Sequence, residues 1–307
     1  MARRDLTGSP IARALSVAGV GALALVVVAL TALALQHDRS SQTAVAPTAG
    51  PVPSFSFRGE ARPDATDSPA PTASPTAIGA AERFLARSSE GTLWRATAGA
   101  CNGEEPVVER SDDDGATWVD VTPRSRGIAQ VRALSGLSGA DAELVVDLAD
   151  CTPQLLRTFT QGRFWDPYPD LLARATYPAG SAPTVLDSPS GEIPLPCAAP
   201  ASVRVGAQQT AVICEGVPYT RVGTGAFAPL PLANAVALDV LGRETAVARV
   251  DAGACDGALS LSWVDAAGVV SATECVAGTD PAAPAAVAAF DDETVVWSGE
   301  TVVSITP

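Results

Sequence analysis

From residue 80 to the C-terminus the chain alternates short apolar runs with polar punctuation. Apolar stretches of four to eight residues are cut by Gly, Pro, Asp and Asn, and no stripe recurs with a helical period. One unit starts with Glu82-Arg83-Phe84-Leu85-Ala86-Arg87 and continues with Thr92-Leu93-Trp94-Arg95-Ala96. A second runs through Gln130-Val131-Arg132-Ala133-Leu134, Glu143-Leu144-Val145-Val146-Asp147-Leu148 and Gln154-Leu155-Leu156-Arg157-Thr158-Phe159. Others follow at Ser202-Val203-Arg204-Val205, Ala235-Val236-Ala237-Leu238 and Ala286-Val287-Ala288-Ala289-Phe290. Each unit has one order: a strand, a polar turn, a strongly apolar strand, a second turn, a third strand. The stretch 171–196 is proline-rich and irregular, with Pro183-Thr184-Val185-Leu186 and Gly191-Glu192-Ile193 as the hairpin of a degenerate unit. The pattern predicts an all-β domain over 80–307.

Two turns carry the strongest local signal. Ser111-Asp112-Asp113-Asp114-Gly115-Ala116-Thr117-Trp118 spells Ser-x-Asp-x-Gly-x-x-Trp between two β-rich segments. Short Ser and Asp side chains can bond backbone N–H groups two residues on, and Gly115 admits positive φ, so the turn can satisfy itself. Thr158-Phe159-Thr160-Gln161-Gly162-Arg163-Phe164-Trp165 keeps the hydroxyl, the glycine and the tryptophan, with Thr160 in place of the Asp. Gly115 to Gly162 and Trp118 to Trp165 are both 47 residues. A period of roughly 40–50 residues is the size of a four-stranded propeller blade. The domain then holds about five blades, or six if 171–196 counts, and a closed ring removes exposed strand edges. A pair of β-sandwiches is the competing arrangement.

Turn 111–118 resembles an Asp-box, the signature turn of the BNR-repeat β-propellers, which include sialidases, sortilin-type receptors, some glycanases and a photosystem assembly factor. The resemblance implies that Ser111, Asp113, Gly115 and Trp118, and likewise Thr158, Thr160, Gly162 and Trp165, are structural markers on the blade rim. It also implies what a sialidase would need: three arginines for the substrate carboxylate, a Tyr–Glu nucleophile, an acid/base Asp, and Arg-Ile-Pro before the first Asp-box. That tripeptide is absent, and Tyr168, Tyr177 and Tyr219 each adjoin a proline. Asp112, Asp113 and Asp114 lack the later glutamate of an EF-hand-like loop, so no metal site is expected.

The N-terminal part reads differently. Residues 1–13 carry Arg3, Arg4 and Arg13, and 14–35 contain no charge. Some twenty apolar residues span a bilayer as a helix, and a basic flank stays inside. This predicts a cytoplasmic tail, a transmembrane signal-anchor helix over 14–35 and an extracellular remainder of a single-pass cell-membrane protein. Cleavage after Ala32-Leu33-Ala34 is the rival, although secretory apolar cores are shorter. Residues 36–79 are rich in Pro, Ser, Thr and Ala and read as a disordered, extended linker.

Charge and cysteine narrow the function. The chain carries −14. Setting aside Arg3, Arg4, Arg13 and Arg39 with Asp5 and Asp38 leaves 16 basic and 32 acidic side chains, a net of −16, which disfavours nucleic acid and anionic surfaces as partners. Every basic residue is Arg, and alanine is abundant, the bias of a high-GC bacterial coding sequence. All six cysteines lie beyond the apolar segment, an even number in an oxidising compartment, with no zinc-like spacing. Ala98-Gly99-Ala100-Cys101 echoes Ala252-Gly253-Ala254-Cys255, placing both cysteines in turns between second and third strands, while Cys197 and Cys275 are read as preceding first strands. Sequence-near pairing gives Cys101–Cys151, Cys197–Cys214 and Cys255–Cys275; the first asks most of the geometry, since equivalent turns of neighbouring blades stand far apart.

The one histidine, His37, lies beside the apolar segment, so the exported domain has neither a His general base nor a Ser-His-Asp triad. Paired cysteines leave no thiol nucleophile. No cofactor is expected. Three functions remain open: a non-catalytic module binding an envelope protein or glycan, a divergent glycoside hydrolase or sialidase-like enzyme, and an assembly scaffold for exported proteins. For binding, the segment Arg163-Phe164-Trp165-Asp166-Pro167-Tyr168 offers Arg163 and Tyr168 as candidate contacts, since Arg and Tyr concentrate in binding hot spots.

Overall fold

The computed structural model describes residues 81–180, 184–251, 253–291 and 293–306. The expected cytoplasmic tail, membrane helix and linker therefore lie outside the described residues. Among the described residues no helix is long and apolar enough to cross a membrane.

The described chain forms six antiparallel sheets in sequence order, one per blade. Blade 1 is β1 (Arg83–Arg87), β2 (Leu93–Thr97), β3 (Val107–Ser111) and β4 (Val119–Asp120). Blade 2 is β5 (Ile128–Gly136), β6 (Ala142–Leu148), β7 (Pro153–Thr158) and β8 (Asp166–Pro167), followed by a single helical turn, α1 (Pro169–Leu172). Blade 3, the proline-rich stretch, has three short strands: β9 (Tyr177–Pro178), β10 (Val185–Asp187) and β11 (Ile193–Pro194). Blade 4 is β12 (Pro200–Val205), β13 (Gln209–Cys214), β14 (Val217–Val222) and β15 (Ala228–Pro229). Blade 5 is β16 (Ala235–Leu241), β17 (Glu244–Val250), β18 (Leu259–Asp265) and β19 (Val270–Val276). Blade 6 has three strands, β20 (Ala285–Phe290), β21 (Glu293–Ser298) and β22 (Thr301–Ile305). The all-β propeller expectation holds, and the degenerate unit counts as a blade.

Each seam between blades has its own apolar cluster. Inner strands are the most buried, as their apolar runs require: β13, the second strand of blade 4, is buried along its whole length, and β18, the third strand of blade 5, along all but its last residue. Between blades 1 and 2, Trp94, Val108, Val131, Leu144, Val146, Leu156 and Trp165 pack together, with Trp94 and Trp165 edge to face at 6.1 Å. The seam between blades 2 and 3 is thinner, built on Val145, Leu155 and Tyr177.

The ring closes where blade 6 meets blade 1. Leu85, Leu93, Ala286, Ala288, Val295 and Trp297 form the seam, with Trp118 and Val302 packed on it. A cationic-aromatic stack crosses it: the Arg83 guanidinium lies 4.1 Å from the Trp297 ring, and Arg95 lies 4.8 Å from Trp297 and 4.0 Å from Trp118. Arg87 pairs with Glu293 at 2.8 Å across the same seam.

The three disulfides are Cys101–Cys151, Cys197–Cys214 and Cys255–Cys275, and no described cysteine is free. The first joins the β2–β3 turn of blade 1 to the β6–β7 turn of blade 2, with Cα atoms 5.7 Å apart. Equivalent turns of adjacent blades therefore do come within bonding range here. Cys151 adopts φ 64°, which turns the chain sharply at that point. Cys275 is a correction: it lies near the end of β19, the fourth strand of blade 5, where it reaches back to the β17–β18 turn.

Two outcomes are expected of this closure. Trp297→Ala removes the aromatic shared by Arg83 and Arg95 and should cost about 3–5 kcal/mol, read as a lowered midpoint in denaturant. Replacing Cys101 and Cys151 together by Ser should cost about 2–4 kcal/mol. A midpoint unchanged by Trp297→Ala would show that the stack does not hold the seam.

Candidate functional site

The first strand of every blade faces the ring centre, so the polar residues of those strands meet there. Arg87 from β1, Arg132 from β5, Arg204 from β12 and Asp239 from β16 line a cavity of about 280 Å³, together with Thr176 ahead of β9 and Ala289 of β20. Most of these charges are committed to the ring itself. Arg204 reaches from blade 4 to the opposite blade 1, where it pairs with Glu82 at 3.4 Å and donates to the Arg83 carbonyl at 2.8 Å, over the Phe84 ring. Burial holds Glu82 above the usual carboxylate range, with Arg204 opposing that shift.

Arg132 and Asp147 form a buried pair within blade 2, and Arg132 also donates to the Pro178 carbonyl of blade 3 at 2.8 Å. Burial raises the Asp147 carboxyl, against the pull of Arg132. A Cβ at Gly180 would stand 1.6 Å from the Arg132 guanidinium, so a side chain there would displace this bridge. Glu143, on the cavity wall, pairs with Arg157 at 3.1 Å.

Asp239 is the exception. Among the described residues it has no ion-pair partner within contact range; its carboxylate accepts the Ala289 backbone N–H of blade 6 at 2.9 Å. Burial pushes it up to about 6 from the usual 3.8, opposed by the Ala289 N–H and by Arg204. Asp239 was not among the residues predicted from sequence to form a site. The available signal was a lone carboxylate closing the apolar run Ala235-Val236-Ala237-Leu238 in a first strand, a position that every blade turns towards the centre.

The two singled-out turns lie elsewhere, between the third and fourth strands on the rim. Ser111 Oγ accepts the Gly115 N–H at 2.9 Å and donates to Asp113 Oδ1 at 2.8 Å. The same carboxylate accepts the Thr117 N–H at 2.8 Å and the Thr117 hydroxyl at 2.6 Å. These bonds, Thr117 first, hold Asp113 down at about 2. In blade 2 the hydroxyl of Thr158 accepts the Gly162 N–H at 3.0 Å, and Thr160 Oγ1 accepts the Phe164 N–H at 3.0 Å. Asp114 and Gly115 are consecutive positive-φ residues, as are Gln161 and Gly162.

Each turn seats its tryptophan and glycine on the preceding blade. Trp165 donates to the Val121 carbonyl at 3.0 Å, and a Cβ on Gly162 would lie 2.5 Å from Val121. Gly115 sits against Val302 of blade 6, and Trp118 packs on the closing seam. Asp112, Asp113 and Asp114 belong to no group of three or more metal-ligating side chains among the described residues.

The two proposed contact residues are separated. Arg163 is exposed beside Gly162, in the cleft between blades 1 and 2. Tyr168 is half-buried, edge to face with Phe159 at 6.2 Å, and packs on the Val145, Leu155 and Tyr177 cluster.

No protein-family model and no curated protein matches the chain. Among solved structures it is similar to YCF48 bound to D1 peptide, at 12% identity over 70% of this chain and 60% of that chain, with TM-score 0.27. It is also similar to the BP39L lectin from Burkholderia pseudomallei (17% identity, 74% of this chain, 86% of that chain, TM-score 0.40). A third likeness is to the Hadza microbial sialidase Hz136 (10% identity, 73% of this chain, 52% of that chain, TM-score 0.33). The chain thus spans about 60% of the length of the first of these. Likeness at this level assigns no ligand and no reaction.

Asp239 yields a pH-dependent outcome. Its folded value lies above the unfolded one, so its contribution favours the fold below about pH 4 and is lost as pH rises through about 6. Asp239→Asn should therefore raise the thermal midpoint at pH 7.5, by up to about 3 kcal/mol equivalent, and the gain should vanish below about pH 4. A gain equal at both pH values would show that ionisation of Asp239 is not the cause.

Proposed function

We propose that this chain is a membrane-anchored, extracytoplasmic propeller that binds an envelope protein or glycan without transforming it. The observation that carries the reading is the state of the central cavity. The lining residues Arg87, Arg132, Arg204 and Glu143 are each held by a partner from the ring, Arg204 by Glu82. Substrate chemistry there would have to break the contacts that brace the fold. The loops and clefts of the rim and faces remain as recognition surfaces, which is where rigid scaffolds usually carry them. Three disulfides support an oxidising compartment. The uncharged segment 14–35 behind a basic flank supports an anchor.

A second reading has one specific observation in its favour. Asp239, pushed up to about 6 inside the cavity, has the character of a general acid in a glycoside hydrolase. Such an enzyme needs a second carboxylate, and the nearby candidates Glu82 and Glu143 are both ion-paired. An assembly scaffold remains a form of the binding reading.

Two measurements test these statements. Protease added to intact spheroplasts should release a fragment that begins within 36–79; a mature N-terminus near residue 35 would instead establish a cleaved signal. The full chain, screened with chromogenic glycosides and sialosides, should show no turnover. Turnover abolished by Asp239→Asn would replace the binding reading with the hydrolase.

A further inference from the structure

The cleft between blades 1 and 2 holds a feature that the fold does not need. The turns of blades 1 and 2 share their hydroxyl, glycine and tryptophan positions and their pair of positive-φ residues, at an offset of 47 residues. Where blade 1 has Ala116 and Thr117, blade 2 has Arg163 and Phe164. Blade 1 therefore shows that this turn closes without a cation or an aromatic ring at those positions. Phe164 nevertheless stands 71% exposed, on a backbone held by Thr160 Oγ1, which accepts its N–H at 3.0 Å and donates to its carbonyl at 3.4 Å. A large apolar ring held outward on a rigid turn is a preorganised contact surface.

The surroundings define what it can hold. Two open hollows of about 430 and 400 Å³ meet at Thr122, Gly162 and Arg163. Arg126 is fixed by the Trp165 carbonyl at 2.7 Å and by Asp166 at 2.6 Å, and Arg124 by Asp120 at 2.7 Å. Arg124 in turn holds Asp120 down at about 2, so both carboxylate partners of these arginines are already spent. Arg163 has no side-chain partner among the described residues. The cleft thus offers one uncommitted positive charge, in a domain whose net charge is strongly negative.

We propose that this cleft binds a carboxylate-bearing sugar, a uronic-acid residue of an envelope polysaccharide, with the Phe164 ring as platform and the Arg163 guanidinium on the carboxylate. This rests on the binding-module reading and names its ligand and place. The C–H face of a sugar ring carries slight positive charge and suits the negative face of an aromatic ring. Guanidinium and carboxylate match as a planar fork. A peptide is less well served. Strand addition needs a continuous free strand edge, and the adjoining β4 and β8 have two residues each. Pro167 within β8 and Pro123 just after β4 have no N–H to give.

The test uses the full chain in detergent and calorimetric titration with tetragalacturonate, a hyaluronan tetrasaccharide, neutral maltotetraose and tetra-aspartate. At least one uronate oligomer should bind, and maltotetraose should bind at least about tenfold more weakly. The double variant R163A/F164T copies the residues of blade 1, so its thermal midpoint should match the parent while uronate affinity falls about tenfold or more. Arg174→Ala, an exposed arginine elsewhere, should leave affinity within about twofold. Failure of both uronates to bind, or equal binding by R163A/F164T, overturns the proposal. Tetra-aspartate bound in preference and lost in R163A/F164T assigns the cleft to an acidic peptide and overturns the sugar. Capture of one envelope partner by both parent and double variant, with no uronate binding, removes this site and leaves the wider binding reading intact.

Discussion

The structure depends on bringing its last blade against its first. Five seams follow from consecutive sequence, but the sixth joins residues more than two hundred positions apart, and loop closure over that length is entropically unfavourable until the seam is made. Among the described residues blade 6 has only three strands, and the join is made by side chains. Arg83 and Arg95 flank Trp297, and Arg95 bridges on to Trp118. The turn in which Trp118 sits thereby has two tasks. It ends the third strand of blade 1, and it lays an aromatic ring on blade 6. Its counterpart in blade 2 does the same against blade 1, where the neighbour is adjacent in sequence and the strain of closure is small.

This division of labour separates the centre of the ring from its rim. The centre is spent on holding the ring: Arg204 spans to blade 1, and Arg132 ties blade 2 to Pro178 of blade 3. Buried pairs of this kind add little net stability over apolar packing, but losing one partner strands the other charge, so they are hard to adapt to a ligand. The rim is under no such constraint. Its turns are satisfied by their own hydroxyls and carboxylates; in blade 1 Thr117 is one of those partners, while in blade 2 the Arg163 and Phe164 side chains take no part in closing the turn.

Much of the architecture was legible because it rests on local patterns. Runs such as Thr210-Ala211-Val212-Ile213-Cys214 are apolar on both faces because second strands are covered on both sides. The 47-residue offset of the two glycine–tryptophan turns is close to the length of blades 1 and 2, whereas blades 3 and 4 are shorter. The cysteine pairing was legible from proximity in sequence, although the position of Cys275 within a fourth strand was not, because β19 is largely exposed and lacks an apolar pattern. The cavity was not legible. Its lining comes from blades far apart in the chain, and Arg204 finds Glu82 only after the ring has closed. Phe164 was within view as part of a promising segment, but its exposure depends on a turn geometry that a sequence does not display; Tyr168, equally aromatic, packs inward.

The reach of Arg204 from blade 4 to blade 1 bears on how the ring comes apart. A closed ring can open at any seam, and fluctuations select the least defended one. The diametric tie divides the ring into two arcs, one through blades 2 and 3 and one through blades 5 and 6. The arc through blades 5 and 6 is backed by the extensive cluster around Leu259, Leu261, Val287 and Val296. The other contains the smallest blade and the seam built on Val145, Leu155 and Tyr177. Breathing motions are thereby channelled to the proline-rich blade 3, as a clasp that yields while the remainder of the hoop stays shut, and amide exchange there would be the fastest among the blades.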